Sequence, residues 1–294
     1  MELLNEITQY VISGLATGAI YALIGLSFAI IFNSTGIINF AQGEFVMLGG
    51  VLTIFSITAL KLPILFAVVA AVAGTTLVGV LFERLAIRPL KDATPLALII
   101  ITIGASILIR GVVMLLWGKD TQVLPPFSGN SPLHIAGATL LPQHLWIFGV
   151  TLLVIAGSRL FFHHTISGKA MRACSFNRRA ANLVGISVGR MVLLSFVISS
   201  ALGALAGVII APLTMTAYDV GIMLGLKGFC AAIMGGMGSG LGTVLGGLIL
   251  GVLESLGAGL ISSGYKDAIA FFILLLILFI RPQGLFKKGD TDRV

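Results

Sequence analysis

Two stretches of this sequence place polar or glycine residues inside otherwise apolar surroundings, and their residue types suit the passage of a small solute. The first is Asn33-Ser34-Thr35-Gly36-Ile37-Ile38-Asn39-Phe40-Ala41-Gln42-Gly43-Glu44, too polar for an uninterrupted lipid-facing helix. The second is Gly235-Gly236-Met237-Gly238-Ser239-Gly240-Leu241-Gly242. Each follows a helix and leads into a glycine-containing one, with Gly49-Gly50 after the first and Gly246-Gly247 after the second, a weak internal repeat. Unwound backbone at membrane depth survives only where protein or water satisfies its N–H and C=O groups, and freed helix N-termini there receive carboxylates. Paired breaks in two halves therefore point to a translocation pathway. The first stretch equally describes a surface loop, with Asn39 capping the next helix and Glu44 in its first turn.

Catalytic and nucleotide chemistry have no comparable footing. Gly168-Lys169 is followed by Ala170 and lacks the upstream glycine of a phosphate-binding loop, so the chain is not its own ATPase. The glycine run 235–242 does not fit a dinucleotide fingerprint. His163 and His164 are adjacent, without metal-ligand spacing, and read as residues at a helix end. No Ser/His/Asp spacing argues for a nucleophile, and the expectation is a protein that is not an enzyme. Arg110 and Glu254 are the deeper intramembrane charges. Each costs about 2.5–3.5 kcal/mol at a helix centre, so each must find a partner or snorkel, and snorkelling near helix ends is the expected outcome. So thin a supply of buried ionisable groups argues against an ion-coupled carrier, and energy is expected from outside the chain.

The elements that must carry these stretches follow from composition. Of 294 residues, 57% are hydrophobic, only 10% are charged and 37 are glycine, with a mean hydropathy of +1.10. An ordinary soluble domain carries about 25% charged residues, so a soluble enzyme or nucleic-acid-binding domain is excluded and membrane lipids are the surroundings. Apolar runs long enough to span a bilayer recur, predicting an all-α polytopic membrane protein formed as one transmembrane domain over residues 1–294. The runs are Tyr10 to Phe32, the apolar sequence resuming at Phe45, two helices separated by Lys61 and Pro63, Leu96 to Trp117, His144 to Phe162, Met191 to Ala211 and Ala268 to Ile280. The region from Gly221 to Leu260 reads as two short spans or as a re-entrant hairpin plus one. Eight or nine helices are expected, broken or re-entrant segments included.

The first helix reads as a retained span, since no basic residue precedes it and no small-residue cleavage site follows. Glycine pairs at Gly14/Gly18, Gly203/Gly207, Gly242/Gly246 and Gly247/Gly251 predict close helix packing. Cys174 and Cys230 fall in different regions and read as free thiols. The net charge of +7 is concentrated: 12 of 18 Lys and Arg lie in residues 84–91, 169–190 and 281–293. The first of these loops holds Arg84, Arg88, Pro89, Lys91, Asp92 and Pro95. Positive-inside bias puts all three stretches and the C-terminus in the cytoplasm and the proline-rich 118–143 segment outside. The basic 163–190 loop is then the best site for an interior partner.

At Gly36-Ile37-Ile38-Asn39-Phe40-Ala41-Gln42-Gly43-Glu44-Phe45 the sequence resembles the signature of bacterial ABC importer permeases for branched-chain amino acids, specifically the H-type member of the permease pair. The resemblance runs through nearly the whole chain. Arg172-Ala173, Asn177-Arg178-Arg179-Ala180-Ala181 and Gly185-Ile186 are similar to that family's cytoplasmic coupling region, and Arg281-Pro282-Gln283-Gly284-Leu285-Phe286 to its ending. Arg179-Ala180-Ala181-x-x-x-Gly185 also resembles the E-A-A-x-x-x-G loop that docks ABC permeases on their ATPases, with Arg179 in place of the glutamate.

The resemblance implies a subunit of the inner membrane that carries Leu, Ile and Val, with urea, short amides or other amino acids as the alternative cargo. Its implied partners are a second permease (LivM-like), two cytoplasmic ATP-binding subunits (LivG/LivF-like) that use the ATP, and a periplasmic substrate-binding protein. It implies no cofactor bound by this chain. Asn33, Asn39, Gln42, Gly43, Glu44, Gly235, Gly236, Gly238 and Gly240 would line the substrate path. Arg172, Asn177, Arg178, Arg179, Ala180, Ala181 and Gly185 would couple to the ATPases.

Overall fold

A computed structural model describes residues 2–90, 94–129, 131–135, 138–281 and 283–286. Lys91, Asp92, Pro282, Lys287, Lys288 and Arg293, which figured in the loop and tail readings, lie outside the described residues. The chain forms α1 (Glu2–Thr35), α2 (Gln42–Thr58), α3 (Ile64–Phe82, prolonged by a π turn over Glu83–Ile87), α4 (Pro95–Trp117) and α5 (Pro142–His164). After these come α6 (Ile166–Phe176), α7 (Arg178–Leu183), α8 (Val188–Ile210), α9 (Val220–Gly235), α10 (Gly240–Leu260) and α11 (Lys266–Ile280). Between α4 and α5 lies a hairpin of β1 (Leu133–Ile135) and β2 (Ala138–Leu140), with Leu133 opposite Leu140.

Seven of these helices are long and apolar enough to cross a membrane, and two apolar helices, α2 and α9, are shorter. The sequence spans are therefore located correctly, with ends displaced by a few residues; α1, for instance, continues from the expected Phe32 through Thr35. The region from Gly221 to Leu260 resolves into one short helix and one long one. The expected 163–190 loop is largely helical, and the 118–143 segment carries the hairpin.

The core is built on α1, buried from Ala19 through Ile31 along most of its length. Its partner is antiparallel α10, and the glycine pairs make the contact: Gly14 lies on Gly251 and Val252, Gly18 on Gly247 and Leu248, Gly25 on Thr243. In a bilayer the lipid tails are as apolar as leucine, so association rests on close packing, and glycine lets backbones approach. Gly203 and Gly207 of α8 perform the same service for α2, meeting Gln42, Phe45 and Val46. α3, α4, α5 and α11 form an outer layer whose large apolar side chains, among them Leu65, Leu108, Leu115, Leu152, Leu153 and Phe279, point outward.

The described parts of the basic stretches gather at one end of the bundle. There Asn33 meets Gly238, Gly284 packs on Gly236, and Arg178 approaches Gly36. The proline-rich segment lies at the other end, where Gln9 binds Thr139 and Gln122 pairs with Thr216.

Gly251→Leu is expected to lower the unfolding midpoint by several degrees, because a side chain there collides with the Gly14 and Gly18 backbone; overpacking costs about 1–3 kcal/mol or more. Gly111→Leu, where a Cβ meets nothing within 4 Å, is expected to change stability by at most about 0.5 kcal/mol. Thermal unfolding of the detergent-solubilised protein checks both.

Candidate substrate passage and coupling face

The first break, residues 36–41, turns α1 back into the bundle, and its backbone groups find partners one by one. Gly36 N–H donates to Phe32 O at 2.7 Å, Ile37 N–H to Thr35 Oγ1 at 3.1 Å, and Phe40 N–H to Thr102 Oγ1 at 3.2 Å. Asn39 does not cap α2, as the surface-loop reading had it: its Oδ1 accepts from Ala41 N–H at 3.1 Å, closing a tight turn before the helix. Asn39 and Ala41 in that turn are buried, Phe40 partly so, and Gly36 is exposed.

α2 begins level with Ser27, well inside the bundle, and a buried polar knot fixes it there. Gln42 Nε2 donates to Ser27 Oγ at 2.8 Å and to Ser199 O at 3.2 Å. Ser199 Oγ in turn donates to Gln42 Oε1 at 2.7 Å. This amide joins α1, α2 and α8, and its polar atoms are satisfied, as burial in a low dielectric requires.

The second break lies at the opposite end, residues 211–219, between α8 and α9. Thr216 and Gln122 exchange backbone hydrogen bonds at 2.8 and 2.9 Å, and Gln143 Nε2 donates to Ile209 O at 2.8 Å. α9 also starts inside the bundle. Its Gly221 and Gly225 press on Gly43 so closely that a Cβ at either Gly43 or Gly221 would collide with backbone. α2 then runs parallel to α8 and α9 antiparallel to α10, so the two short helices start against each other and diverge. The glycine run 235–242 was expected to be the second half's break; it is the ordinary turn between α9 and α10, and residues 211–219 supply the break instead.

A cavity of about 220 Å³ opens beside these two N-termini, lined by Phe28, Phe40, Glu44, Ser106, Arg110 and Phe229 together with neighbouring apolar residues. Phe229 packs on Phe28 and Phe40 with ring centroids 5.8 and 5.6 Å away. Ser106 Oγ donates to Glu44 Oε1 at 2.7 Å, while the buried Oε2 has no partner. Arg110, expected to snorkel near a helix end, lies seven residues before the end of α4, is partly buried and lines this cavity. A larger cavity of about 560 Å³ lies at the basic end, and Asn33, Arg159, Arg172, Gly238 and Gly240 line it.

Of the sequence-expected path residues, Glu44 reaches the small cavity, and Asn33, Gly238 and Gly240 reach the large one. Asn33 Nδ2 donates to Gly238 O at 3.2 Å. Asn39, Gln42, Gly43, Gly235 and Gly236 line neither; they make turns and helix contacts, with Gly235 packed on Gly242 and Gly236 at φ +93° beneath Gly284. Phe28, Ser106 and Phe229 escaped the sequence reading. A lone phenylalanine or serine on an apolar helix carries no signal there.

Glu254 overturns the snorkelling expectation. It is fully buried, with Lys227 Nζ at 2.9 Å, Lys266 Nζ at 3.3 Å and Tyr21 Oη at 3.0 Å from Oε1. Lys227 also pairs with Asp267 at 2.6 Å and lies 5.6 Å from the centre of the Tyr21 ring. Two positive and two negative charges thus cancel between α9, α10 and α11. Lys227 was missed because a single lysine in a glycine-rich helix names no partner until α10 is placed beside it.

At the basic end, α6 and α7 form a shelf. Thr165 caps α6 and Asn177 caps α7, its Oδ1 accepting from Ala180 N–H at 3.0 Å. Gly185 ends α7 at φ +87°, a conformation that suits glycine. Ala181 and Cys174 face inward; burial pushes the Cys174 thiol up from its ordinary value, with nearby Arg178 opposing, and lowers Arg178 from its own. Arg172, Arg178, Arg179 and Ala180 are exposed. So are Ile166, Phe176, Leu183 and Val184, each more than three-quarters exposed.

Two helices that start against each other inside the bundle, beside a small polar-and-aromatic cavity, suit a multi-pass membrane permease. The chain belongs to the family described as branched-chain amino acid transport system / permease component, whose model matches residues 10–278. It is 35% identical to the high-affinity branched-chain amino acid transport system permease protein BraD of Pseudomonas aeruginosa, with 97% of each chain covered. It is 33% identical, again over 97% of each, to the permease protein LivH of that name in Escherichia coli K12. Among solved structures, PsaBC from Streptococcus pneumoniae in complex with Fab overlaps 96% of this chain and 92% of its own at TM-score 0.49 and 15% identity, too loose a likeness to argue from.

Lys227→Met is expected to destabilise the protein by about 1–3 kcal/mol, since it leaves buried Glu254 with only the half-exposed Lys266 as its cation. Lys227→Met combined with Glu254→Met is expected to recover most of that loss. Unfolding of the single and double variants in one detergent measures the difference.

Proposed function

We propose that this chain is the permease subunit of an ATP-driven importer for branched-chain amino acids, set in the bacterial inner membrane with its C-terminus cytoplasmic. The observation that carries the reading is 33–35% identity over 97% of the chain to proteins named as high-affinity branched-chain amino acid transport permeases. Gathering of the basic stretches at one end supports that end as the cytoplasmic one.

In this reading a periplasmic binding protein releases Leu, Ile or Val onto the proline-rich end, and a second, LivM-like permease completes the passage. Two LivG/LivF-like subunits hydrolyse ATP against the α6–α7 shelf. Exposed Phe176, Leu183 and Val184 suit an apolar cleft on such a partner, and flanking Arg172 and Arg179 suit acidic groups around it. Closure of the ATPases pushes the shelf. Through α8, which continues from it, the push reaches Ser199 and the start of α2, and the helices switch between outward- and inward-facing states. Asn33, Gly238 and Gly240 line the exit toward the cytoplasm. Asn39, Gln42, Gly43, Gly235 and Gly236 hold the helices that form the path.

Purification from native membranes is expected to bring down ATPase subunits, and the reconstituted complex to take up labelled leucine only with ATP. A chain that purifies alone and transports with an ion gradient overturns the reading. Gly185→Val, which forces a β-branched residue into a left-handed conformation, is expected to leave ATP hydrolysis running while uptake falls; normal uptake overturns the role of the shelf.

A further inference from the structure

The cavity beside Glu44 has features that close packing does not explain. Glu44 is 1% exposed at the first turn of α2, and one carboxylate oxygen is held by Ser106 while the other meets no donor. Arg110 shares the cavity but makes no ion pair within 4 Å among the described residues. A partly buried cation and a buried anion that line one space without an ion pair leave room between them for a group carrying both charges. Phe28, Phe40 and Phe229 form a joined aromatic wall on the same space. The volume, about 220 Å³, falls below the 300–1,000 Å³ of drug-sized pockets and suits one amino acid.

We infer that this cavity is a transit site for a zwitterionic aliphatic amino acid: Glu44 receives the α-ammonium, Arg110 the α-carboxylate, and the three phenylalanines the side chain. The N-terminus of α9, with Gly221 on the lining, adds a favourable dipole for the carboxylate. Ser106 sets the Glu44 carboxylate so that Oε2 is the oxygen left for the ligand. Gly43, Gly221 and Gly225 bring the two helix starts together and thereby place the site within the bundle. The choice of substrate rests on the importer reading; the existence of a site for a zwitterion does not.

Ile107 lines the cavity and is 58% exposed, so a cysteine there reports on occupancy, and the native Cys174 and Cys230 are buried. In the purified transporter complex carrying Ile107→Cys, millimolar leucine is expected to slow maleimide labelling. The ammonium-free analogue 4-methylpentanoate and the carboxylate-free isoamylamine are expected not to. Adding Glu44→Gln is expected to raise the protecting leucine concentration about tenfold or more, the loss of one charge-assisted contact. Phe229→Trp, which shrinks the cavity without touching a charge, is expected to weaken protection by leucine more than by alanine. Labelling indifferent to leucine, equal protection by the two analogues, or protection unchanged in both variants overturns the site. Protection without any ATP-driven leucine uptake by the same complex would leave the site standing and overturn the importer reading.

Discussion

Everything in this structure follows from one constraint: in a bilayer, no backbone N–H or C=O can be left without a partner. Continuous helices meet it internally, and the outer layer of α3, α4, α5 and α11 does so. The two breaks do not, and each is embedded in protein that supplies the missing groups. Thr35, Asn39 and Thr102 serve the first break; Gln122, through its backbone, serves the second. The side chains that stand out as polar in an apolar sequence are therefore mostly structural reagents, and their work is to let a helix start in the middle of the bundle.

Starting helices in the middle brings consequences for chemistry. Two N-termini with their positive dipole ends meet at Gly43 and Gly221, and Glu44 lies in the first turn of one of them. Glycine at the contact is a matter of space: a Cβ on either residue would strike the other's backbone. The same economy of volume holds α1 on α10. Charge is treated differently from backbone. Lys227, Glu254, Lys266 and Asp267 are gathered into a neutral cluster, which fastens α9, α10 and α11 together, whereas Glu44 and Arg110 are kept apart across a cavity. The paired charges hold helices together, and Glu44 and Arg110 line open space.

The shelf of α6 and α7 joins this interior to the basic end. Its inward side is anchored by Met171, Cys174 and Ala181, its outward side presents arginines and bare apolar residues, and α8 begins three residues after Gly185. α8 carries Ser199, and Ser199 grips Gln42 at the start of α2. One helix and one hydrogen-bonded amide thus link the shelf to the start of α2.

Composition and hydropathy by themselves determined the class: so few charges and so many long apolar runs leave only a helical membrane protein. The glycine pairs announced close helix packing, and the motif around Asn39 to Glu44 announced the family, because both are written in adjacent residues. What the tertiary structure decided is which polar groups face each other. Gln42 and Glu44 are two residues apart, yet one is consumed by Ser27 and Ser199 and the other is left with a free oxygen, which depends on α8 and α4 arriving from 157 and 62 residues away. The run 235–242 looked like the second break because glycines are visible in sequence. The true break at 211–219 is held mainly by backbone bonds to distant Gln122, and a backbone partner leaves no mark on composition. Lys227 and Glu254 likewise became a pair only when antiparallel packing set α9 against α10, since a charge read alone names a cost but not its partner.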